Sequence, residues 1–221
     1  MNEINLLILE LLLCLCFVPI IYKYYKIEGL YAYTIANIFL SSLMSLKTIT
    51  IYDYDMNLGI IPLVTIFIIS NVIIQKKGLE ETKRHLLVTI IANILIYIFL
   101  LLISIAQSSS IGLFTSASYN NIFDNSLRIL FANIVTFLYS LILNNKLYFY
   151  LKRMKNSVII SNVFTTIIIQ FIASILFGII AYTFVKEPID IVKIIMIRYL
   201  MSLVVGVLGT IVIYMTKHIK E

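Results

Sequence analysis

The chain has 221 residues, of which 61% are hydrophobic and only 13% are charged. This composition leaves too few polar atoms to cover the surface of a water-soluble globule, and it predicts one compact membrane domain. The formal net charge is +6. Because Lys and Arg fall in short clusters between apolar runs, the charge is typical of a membrane topology signal and does not indicate nucleic-acid binding.

Seven apolar runs follow one another along the chain. They cover residues 5–22, 30–46, 58–75, 86–107, 127–143, 158–185 and 194–215. Runs of about 20 apolar residues cross a bilayer as α-helices, and open strands would leave backbone groups unpaired in lipid. The sequence therefore predicts an all-α, multi-pass membrane protein with seven transmembrane helices.

The segments between the runs alternate between many and few basic residues. Lys and Arg concentrate in segments 23–26, 76–84, 146–155 and 217–220, whereas acidic residues such as Asp55 and Glu187 lie in the other set. The positive-inside rule then predicts an outside N-terminus and an inside C-terminus. His85 and His218 lie beside lysines on the predicted inner side and are interpreted as interfacial residues. Tyrosines near the ends of runs, Tyr182 among them, are interpreted as headgroup anchors.

Polar residues inside the runs recur three or four positions apart, the spacing of one helix face. The stripes contain Asn37, Ser41, Ser45; Asn71, Gln75; Asn133, Thr136, Ser140, Asn144; Asn162, Thr166, Gln170, Ser174; and Arg198, Ser202, Gly206. Small and hydroxyl residues at such positions also serve helix packing. Amides and cations cannot face lipid without a large free-energy cost, so they indicate either a polar cavity or structural hydrogen bonds.

The sequence contains almost no pattern that indicates enzyme chemistry. The chain contains no HExxH, no GxxxxGK[ST], no nucleophile elbow and no pair of acids at a useful spacing. Cys14 and Cys16 are two residues apart in an apolar run and predict neither a disulfide nor a metal site. No cofactor, no metal and no nucleic-acid partner is therefore expected.

The segment LKTITIYDYDMNLGIIPLVTIFIISNVIIQKKGLEE contains the pattern Phe-x-x-Ser-Asn-x-x-x-Gln-x-x-Gly. This segment resembles the signature of the VUT family, small bacterial membrane proteins regarded as queuosine-precursor transporters, which includes a helix of the form Phe-x-x-(Ser/Thr)-Asp-x-x-x-Glu-x-x-Gly. The resemblance continues through LRILFANIVTFLYSLILNN, SNVFTTIIIQFIASILFGIIAY and RYLMSLVVGVLGT. It runs from about residue 29 to the C-terminus. It implies an extra N-terminal transmembrane helix over residues 1–28 and a six-helix transporter core over residues 29–221.

The departures from the family pattern concern charge. Where relatives carry acids, this chain has Asn71, Gln75, Asn144, Ala173 and Gly209; where they carry an arginine and a lysine, it has Ser161 and Ser202. Asn71 and Gln75 keep the size of Asp and Glu without the charge. An amide oxygen still accepts a hydrogen bond from a deazaguanine base, with roughly half the strength of a carboxylate.

The resemblance implies a carrier for a queuosine precursor of the 7-deazaguanine type, or a related small planar metabolite. We expect Asn71, Gln75, Asn162 and Gln170 to bind this substrate, with Ser202 beside them and with Lys47, Arg128 and Arg198 near the outer mouth. One alternative is a non-transporting membrane sensor or scaffold subunit on the same fold. Another is the substrate-binding subunit of a multi-component uptake system. Partners besides the substrate and the lipid bilayer would be a second copy of the chain or a partner subunit.

Overall fold

The computed structural model of the chain describes residues 3–45, 47–51, 54–106, 116–155 and 157–219. Leu46 and Asp53 lie outside them. Within these ranges the chain forms five α-helices and one two-stranded hairpin: α1 Glu3–Met44, β1 Thr48–Ile51, β2 Tyr54–Asn57, α2 Ile60–Ile105, α3 Ser116–Lys155, α4 Val158–Tyr182 and α5 Pro188–Lys217. All five helices are long and apolar enough to cross a membrane. The all-α membrane prediction is confirmed at this level.

Two of the five helices contain a break. α1 has 42 residues and non-helical torsion angles at Lys26, with φ 52° and ψ −137°, whereas α2 has 46 residues and breaks at Gly78, with φ 80° and ψ −167°. At about 1.5 Å per residue each helix would exceed 60 Å if straight, about twice the hydrocarbon thickness. The structure thus has five helices where the sequence predicts seven, because single residues, and not loops, join the first two and the next two predicted runs.

The two parts of α1 pack against each other. The Tyr33 hydroxyl donates to the carbonyl oxygen of Cys14 at 3.1 Å, and the rings of Phe17 and Tyr33 lie 6.4 Å apart. These contacts join residues on opposite sides of the break at Lys26. The part before the break also enters the main apolar cluster with α2 and α5, so the N-terminal helix is packed into the body of the protein.

The part of α2 after Gly78 lies along the second part of α1. The Tyr31 hydroxyl donates to Glu81 Oε1 at 2.6 Å, and one turn further Thr34 Oγ1 lies 2.8 Å from His85 Nε2. His85 is fully buried at this contact. The interpretation of His85 as an interfacial residue is therefore wrong, because the helix turns the ring toward α1 and not toward the headgroups.

The hairpin closes one end of the helix bundle. β1 and β2 pair antiparallel with Ile49 opposite Met56, and both side chains are buried. The Asn57 amide donates to the carbonyl oxygen of Ser45 at 2.9 Å. A Cβ at Gly59 would collide with the Ser41 carbonyl oxygen and with Ser45 Oγ, so a glycine is needed where the hairpin enters α2. We call this the hairpin end, and we call the opposite end, with the lysines of segments 76–84 and 146–155 and with Lys217, the lysine-rich end.

The distribution of polar and apolar side chains is that of a protein solvated by lipid. Large apolar residues such as Leu12, Phe99 and Phe171 are about half exposed, while Asn71 and Arg198 are buried. A lipid environment accepts exposed apolar surface and penalises unpaired polar groups, so polar residues collect between helices. Two such polar sites lie at different levels of the bundle.

Candidate functional site

The first polar site is a network of amides toward the lysine-rich end, which we call the amide cluster; its members are Ser70, Asn71, Asn144, Asn145, Asn162 and Thr210. Asn71 Nδ2 donates to Asn162 Oδ1 at 2.9 Å, and Asn144 Nδ2 donates to Asn71 Oδ1 at 2.9 Å. Asn71 on α2 thus joins α3 to α4 with both ends of its amide. The two predicted residues Asn71 and Asn162 are brought together, and in this structure they bind each other.

Further hydrogen bonds connect the amide cluster to α5 and to a second asparagine of α3. Asn162 Nδ2 donates to the Gly206 carbonyl oxygen and to Thr210 Oγ1, each at 2.9 Å. Ser70 Oγ donates to Asn145 Oδ1 at 2.7 Å. Four helices, α2 to α5, therefore meet at hydrogen-bonded amides, and these bonds leave the helices in contact at this level of the bundle.

Polar residues lead away from the amide cluster toward the hairpin end along three helices. We call this set the polar ladder; it consists of Asn133, Thr136 and Ser140 on α3, Thr166, Gln170 and Ser174 on α4, and Ser202 on α5. All are buried. Thr136 Oγ1, Ser140 Oγ and Ser174 Oγ have no hydrogen-bond partner among the described residues. Buried polar atoms in native proteins are nearly always paired, so these three hydroxyls are places where a polar solute or water would be stabilised.

The ladder ends at a cavity of about 220 Å³ at the hairpin end, which we call the hairpin cavity. Arg198 lines its wall and is only 5% exposed. The guanidinium carbon lies 3.7 Å from the centre of the Phe177 ring, and Nη2 donates to Asn133 Oδ1 at 3.2 Å. The ring and the amide hold the guanidinium in one orientation, with further N–H donors beyond the one that Asn133 accepts.

Other groups of both charges line the same cavity. Asp55 on β2 accepts a hydrogen bond from Thr50 Oγ1 at 2.9 Å. The Tyr182 ring packs edge-on against Phe177, with ring centres 5.8 Å apart, and Lys186 Nζ lies 5.9 Å from the Tyr182 ring centre. The cavity thus offers hydrogen-bond donors, a carboxylate acceptor and aromatic faces within one small space.

The other predicted site residues lie in different surroundings. Lys47 is exposed next to the cavity residue Thr48. Arg128 is exposed, and it donates from Nε to the Ile180 carbonyl oxygen at 3.1 Å and from Nη2 to that of Thr183 at 2.5 Å. These are carbonyls of the last turn of α4, so Arg128 caps that helix.

The two predicted glutamines lie apart from each other. Gln75 is half-buried one turn beyond Asn71; its Oε1 has no partner among the described residues, and its backbone oxygen accepts from Lys152 Nζ at 3.1 Å. Gln170 is buried on α4, two turns from Asn162 on the way to the hairpin cavity. Ser202 is buried one turn from Arg198. Gln170 on α4 and Ser202 on α5 therefore lie between the amide cluster and the hairpin end of their helices.

Sequence reasoning missed part of the cavity wall. Tyr182 was predicted as a headgroup anchor, and Asp55 as a residue of an outer loop, whereas both line the cavity. The alternation TITI over residues 48–51, with Ile49 buried, was a signal that could have indicated a strand. Phe177 could not be distinguished from a core aromatic residue by spacing alone.

Comparison with known proteins gives one match. The profile of the family described as "Putative vitamin uptake transporter" matches residues 57–216, which is well over half of the chain. No curated protein and no solved structure matched in the same comparisons. The matched residues include α2, α3, α4 and all of α5 except Lys217. They also include the amide cluster, the polar ladder and most of the hairpin cavity. This chain belongs to the vitamin uptake transporter (VUT) family of membrane transporters.

Proposed function

We propose that the protein takes up a queuosine precursor of the 7-deazaguanine type, or a related small planar metabolite, which it binds first in the hairpin cavity. The observation that carries the proposal is the buried Arg198 held on the Phe177 ring in the cavity wall. A buried guanidinium inside a membrane domain is costly and is a functional-site hypothesis by default. The unpaired hydroxyls of the polar ladder then give a path from this cavity into the bundle.

The chemistry of a 7-deazaguanine base suits this cavity. Its ring carbonyl oxygen is an acceptor for the N–H groups of Arg198, and its amide N–H and exocyclic amine are donors for the carboxylate of Asp55. Its bicyclic ring would pack on Tyr182 and Phe177. Drug-sized ligands occupy pockets of roughly 300–1,000 Å³, so a cavity of about 220 Å³ favours a free base over a nucleotide.

The second step of the proposal is passage toward the lysine-rich end. The distance from Arg198 to Thr210 is 12 residues of helix, about 18 Å at 1.5 Å per residue. Along it lie Ser202 and the Gly206 carbonyl to which Asn162 is bonded. Exchange of the Asn71–Asn162 hydrogen bond for bonds to the substrate would open the amide cluster, which therefore acts as the inner gate. In this proposal Asn71, Gln75, Asn162 and Gln170 contact the substrate in turn.

We further propose that the five helices make seven crossings of a bacterial cytoplasmic membrane, with the chain reversing at Lys26 and Gly78. The contact of Tyr33 with Cys14 across the first break supports this. Both breaks fall in the lysine-rich segments, which the positive-inside rule places in the cytoplasm. The N-terminus and the hairpin cavity are then outside, and the C-terminus is inside.

One observation favours a different class of function. Asn71 and Asn162 are satisfied by other side chains, as expected of a sensor or scaffold subunit in which polar stripes became helix contacts. This alternative differs from the carrier in having no uptake.

The proposed function is tested by uptake of a labelled 7-deazaguanine precursor in a bacterial strain that lacks its own carrier and cannot make the precursor but can convert it to queuosine. We expect intracellular label and queuosine in tRNA only when the protein is expressed. Normal membrane expression without entry of any precursor would reject the carrier for these substrates and favour the sensor or scaffold.

A further inference from the structure

A second line of buried polar residues runs between α1 and α2, apart from the polar ladder. We call it the α1–α2 seam; it consists of Thr34, Asn37, Ser41 and Ser45 on α1 and His85, Thr89 and Asn93 on α2. All seven are buried. Their spacing of three or four residues places each set on one helix face, and the two faces meet at the contact of Thr34 with His85.

His85 is the titratable group of this seam. Its side chain is 0% exposed, its Nε2 lies 2.8 Å from Thr34 Oγ1, and its Nδ1 has no hydrogen-bond partner among the described residues. The Thr34 hydroxyl donates to the Leu30 carbonyl oxygen at 2.9 Å. With the hydroxyl hydrogen on the Leu30 carbonyl, Nε2 is assigned the imidazole proton, and Nδ1 is then a buried, unpaired acceptor.

Several ionisable groups lie between His85 and the lysine-rich end. The Tyr31 and His85 rings lie 5.4 Å apart, and the Tyr31 hydroxyl donates to Glu81 Oε1 at 2.6 Å. Glu81 in turn pairs with the exposed Arg84 at 3.4 Å. Glu28 is near Tyr31 on α1, and α3 packs on this part of the bundle through the apolar Leu143 and Leu147. None of these charges contacts the imidazole directly.

At its other end the seam reaches the substrate site. Ser41, Ser45, Asn93 and Asn133 line a small cavity of about 20 Å³, which is room for about one water molecule. Asn133 Nδ2 donates to Ser45 Oγ at 3.3 Å, and Asn133 Oδ1 accepts from Arg198 at 3.2 Å. Asn133 is therefore bonded both to the seam and to the guanidinium of the hairpin cavity.

We propose that His85 binds the proton that is transported together with the substrate, so that the carrier is a proton symporter whose proton site lies in the α1–α2 seam. This inference rests on the proposed function. In one access state Nδ1 takes a proton from water and becomes an imidazolium; in the other state the same proton leaves to water and the neutral imidazole is restored. One proton crosses per substrate, and no bond other than N–H is made or broken.

The packing explains how the proton would be coupled to the conformation. An imidazolium at His85 has no carboxylate in contact in the present arrangement, so its charge favours a state in which the seam opens to water or to Glu81. A ligand shifts a conformational equilibrium by the difference in its affinity for the two states. Because Asn133 and Ser45 join the seam to Arg198, opening of the seam also changes the substrate site.

The test uses the purified protein in liposomes with a pH difference of one unit, the outside being acidic, and a labelled 7-deazaguanine precursor. One proton per substrate gives up to about tenfold accumulation, because one pH unit is worth a factor of ten. We expect this accumulation in the wild type, and equilibration without accumulation in His85→Gln. His218→Gln removes the other histidine and should behave as the wild type, as should Glu10→Gln, which removes the carboxyl inside the first part of α1.

The outcomes separate the two proposals. Wild-type uptake that only equilibrates despite the pH difference, or full accumulation by His85→Gln, overturns the proton site and leaves the carrier intact. No uptake by the wild type rejects the carrier, and the proton site falls with it. Should His85→Gln fail to fold, ¹⁵N NMR of the His218→Gln protein in nanodiscs follows His85 directly. An imidazole that stays neutral with substrate present over about pH 5–8, the range in which histidine usually titrates, would also overturn the inference.

Discussion

The guanidinium of Arg198 lies 3.7 Å above the Phe177 ring in the wall of the hairpin cavity. A cation against an aromatic face inside a membrane domain is stabilised by the ring and remains able to donate to a ligand. The pair thus presents N–H donors and a planar ring at one place in the cavity wall.

Replacement of Phe177 by Leu should weaken substrate binding without unfolding the protein. The change keeps an apolar side chain of similar size but removes the π face under the guanidinium and beside Tyr182. Cation–π contacts in desolvated sites contribute about 2 kcal/mol, so we expect KM for the precursor to rise by about tenfold or more. Phe171→Leu, at an exposed position on the same helix, is the matched control and should leave KM unchanged. Equal KM values for both variants would remove Phe177 from the site.

Arg128 and Arg198 should respond differently to mutation, although the sequence predicts both as site residues. Arg128 donates to carbonyls at the end of α4, and caps of this kind contribute about 1 kcal/mol. Arg128→Gln should therefore lower the melting temperature in detergent by a few degrees and leave KM within about twofold of the wild type. A large rise in KM at unchanged stability would show that Arg128 contacts the substrate after all.

Replacement of Asn71 and replacement of Gln75 should have different effects on the stability of the protein. Asn71→Leu removes the donor to Asn162 Oδ1 and leaves Asn144 Nδ2 only its longer contact with Asn145 Oδ1, at 3.3 Å, and an unsatisfied buried group costs about 1–3 kcal/mol. Gln75→Leu removes an oxygen that has no partner and should not lower the melting temperature. Thermal unfolding of both variants in the same detergent checks this, and similar melting temperatures would contradict the bonding described for the amide cluster. Reduced uptake by folded Gln75→Leu protein would place Gln75 on the path.

The proposed path can be followed with single cysteines in a protein whose Cys14 and Cys16 are replaced by Ala. Ser202→Cys lies one turn below Arg198 and should react with a membrane-impermeant thiol reagent added outside, and the substrate should protect it. Thr210→Cys lies beyond the amide cluster's bond to Gly206 and should react much more slowly from that side. Equal labelling of both cysteines would show that the amide cluster is not a gate.

The sequence predicts the helices of the fold more completely than it predicts the contacts of the site. Length and hydropathy are sufficient to locate helices, because a bilayer requires about 20 apolar residues for a crossing. The sequence predicts a break between the first two runs and between the next two, but it could not tell that the single residues Lys26 and Gly78 would make these breaks in place of loops. Spacing predicted correctly that Asn71 and Asn162 face the interior. It could not tell that they would bind each other, that His85 would turn toward Thr34, or that the hairpin would bring Asp55 to the cavity, because these depend on contacts between distant segments.

In the proposed function Arg198 binds the substrate in the hairpin cavity. Uptake of a labelled 7-deazaguanine precursor is measured in liposomes that contain the wild type, Arg198→Gln or Arg153→Gln. Hydrogen bonds to charged groups contribute about 1.5–3 kcal/mol, so Arg198→Gln should raise KM by about 10- to 100-fold. Arg153→Gln removes an exposed cation at the lysine-rich end and should match the wild type. Folded Arg198→Gln protein with wild-type KM would contradict the account.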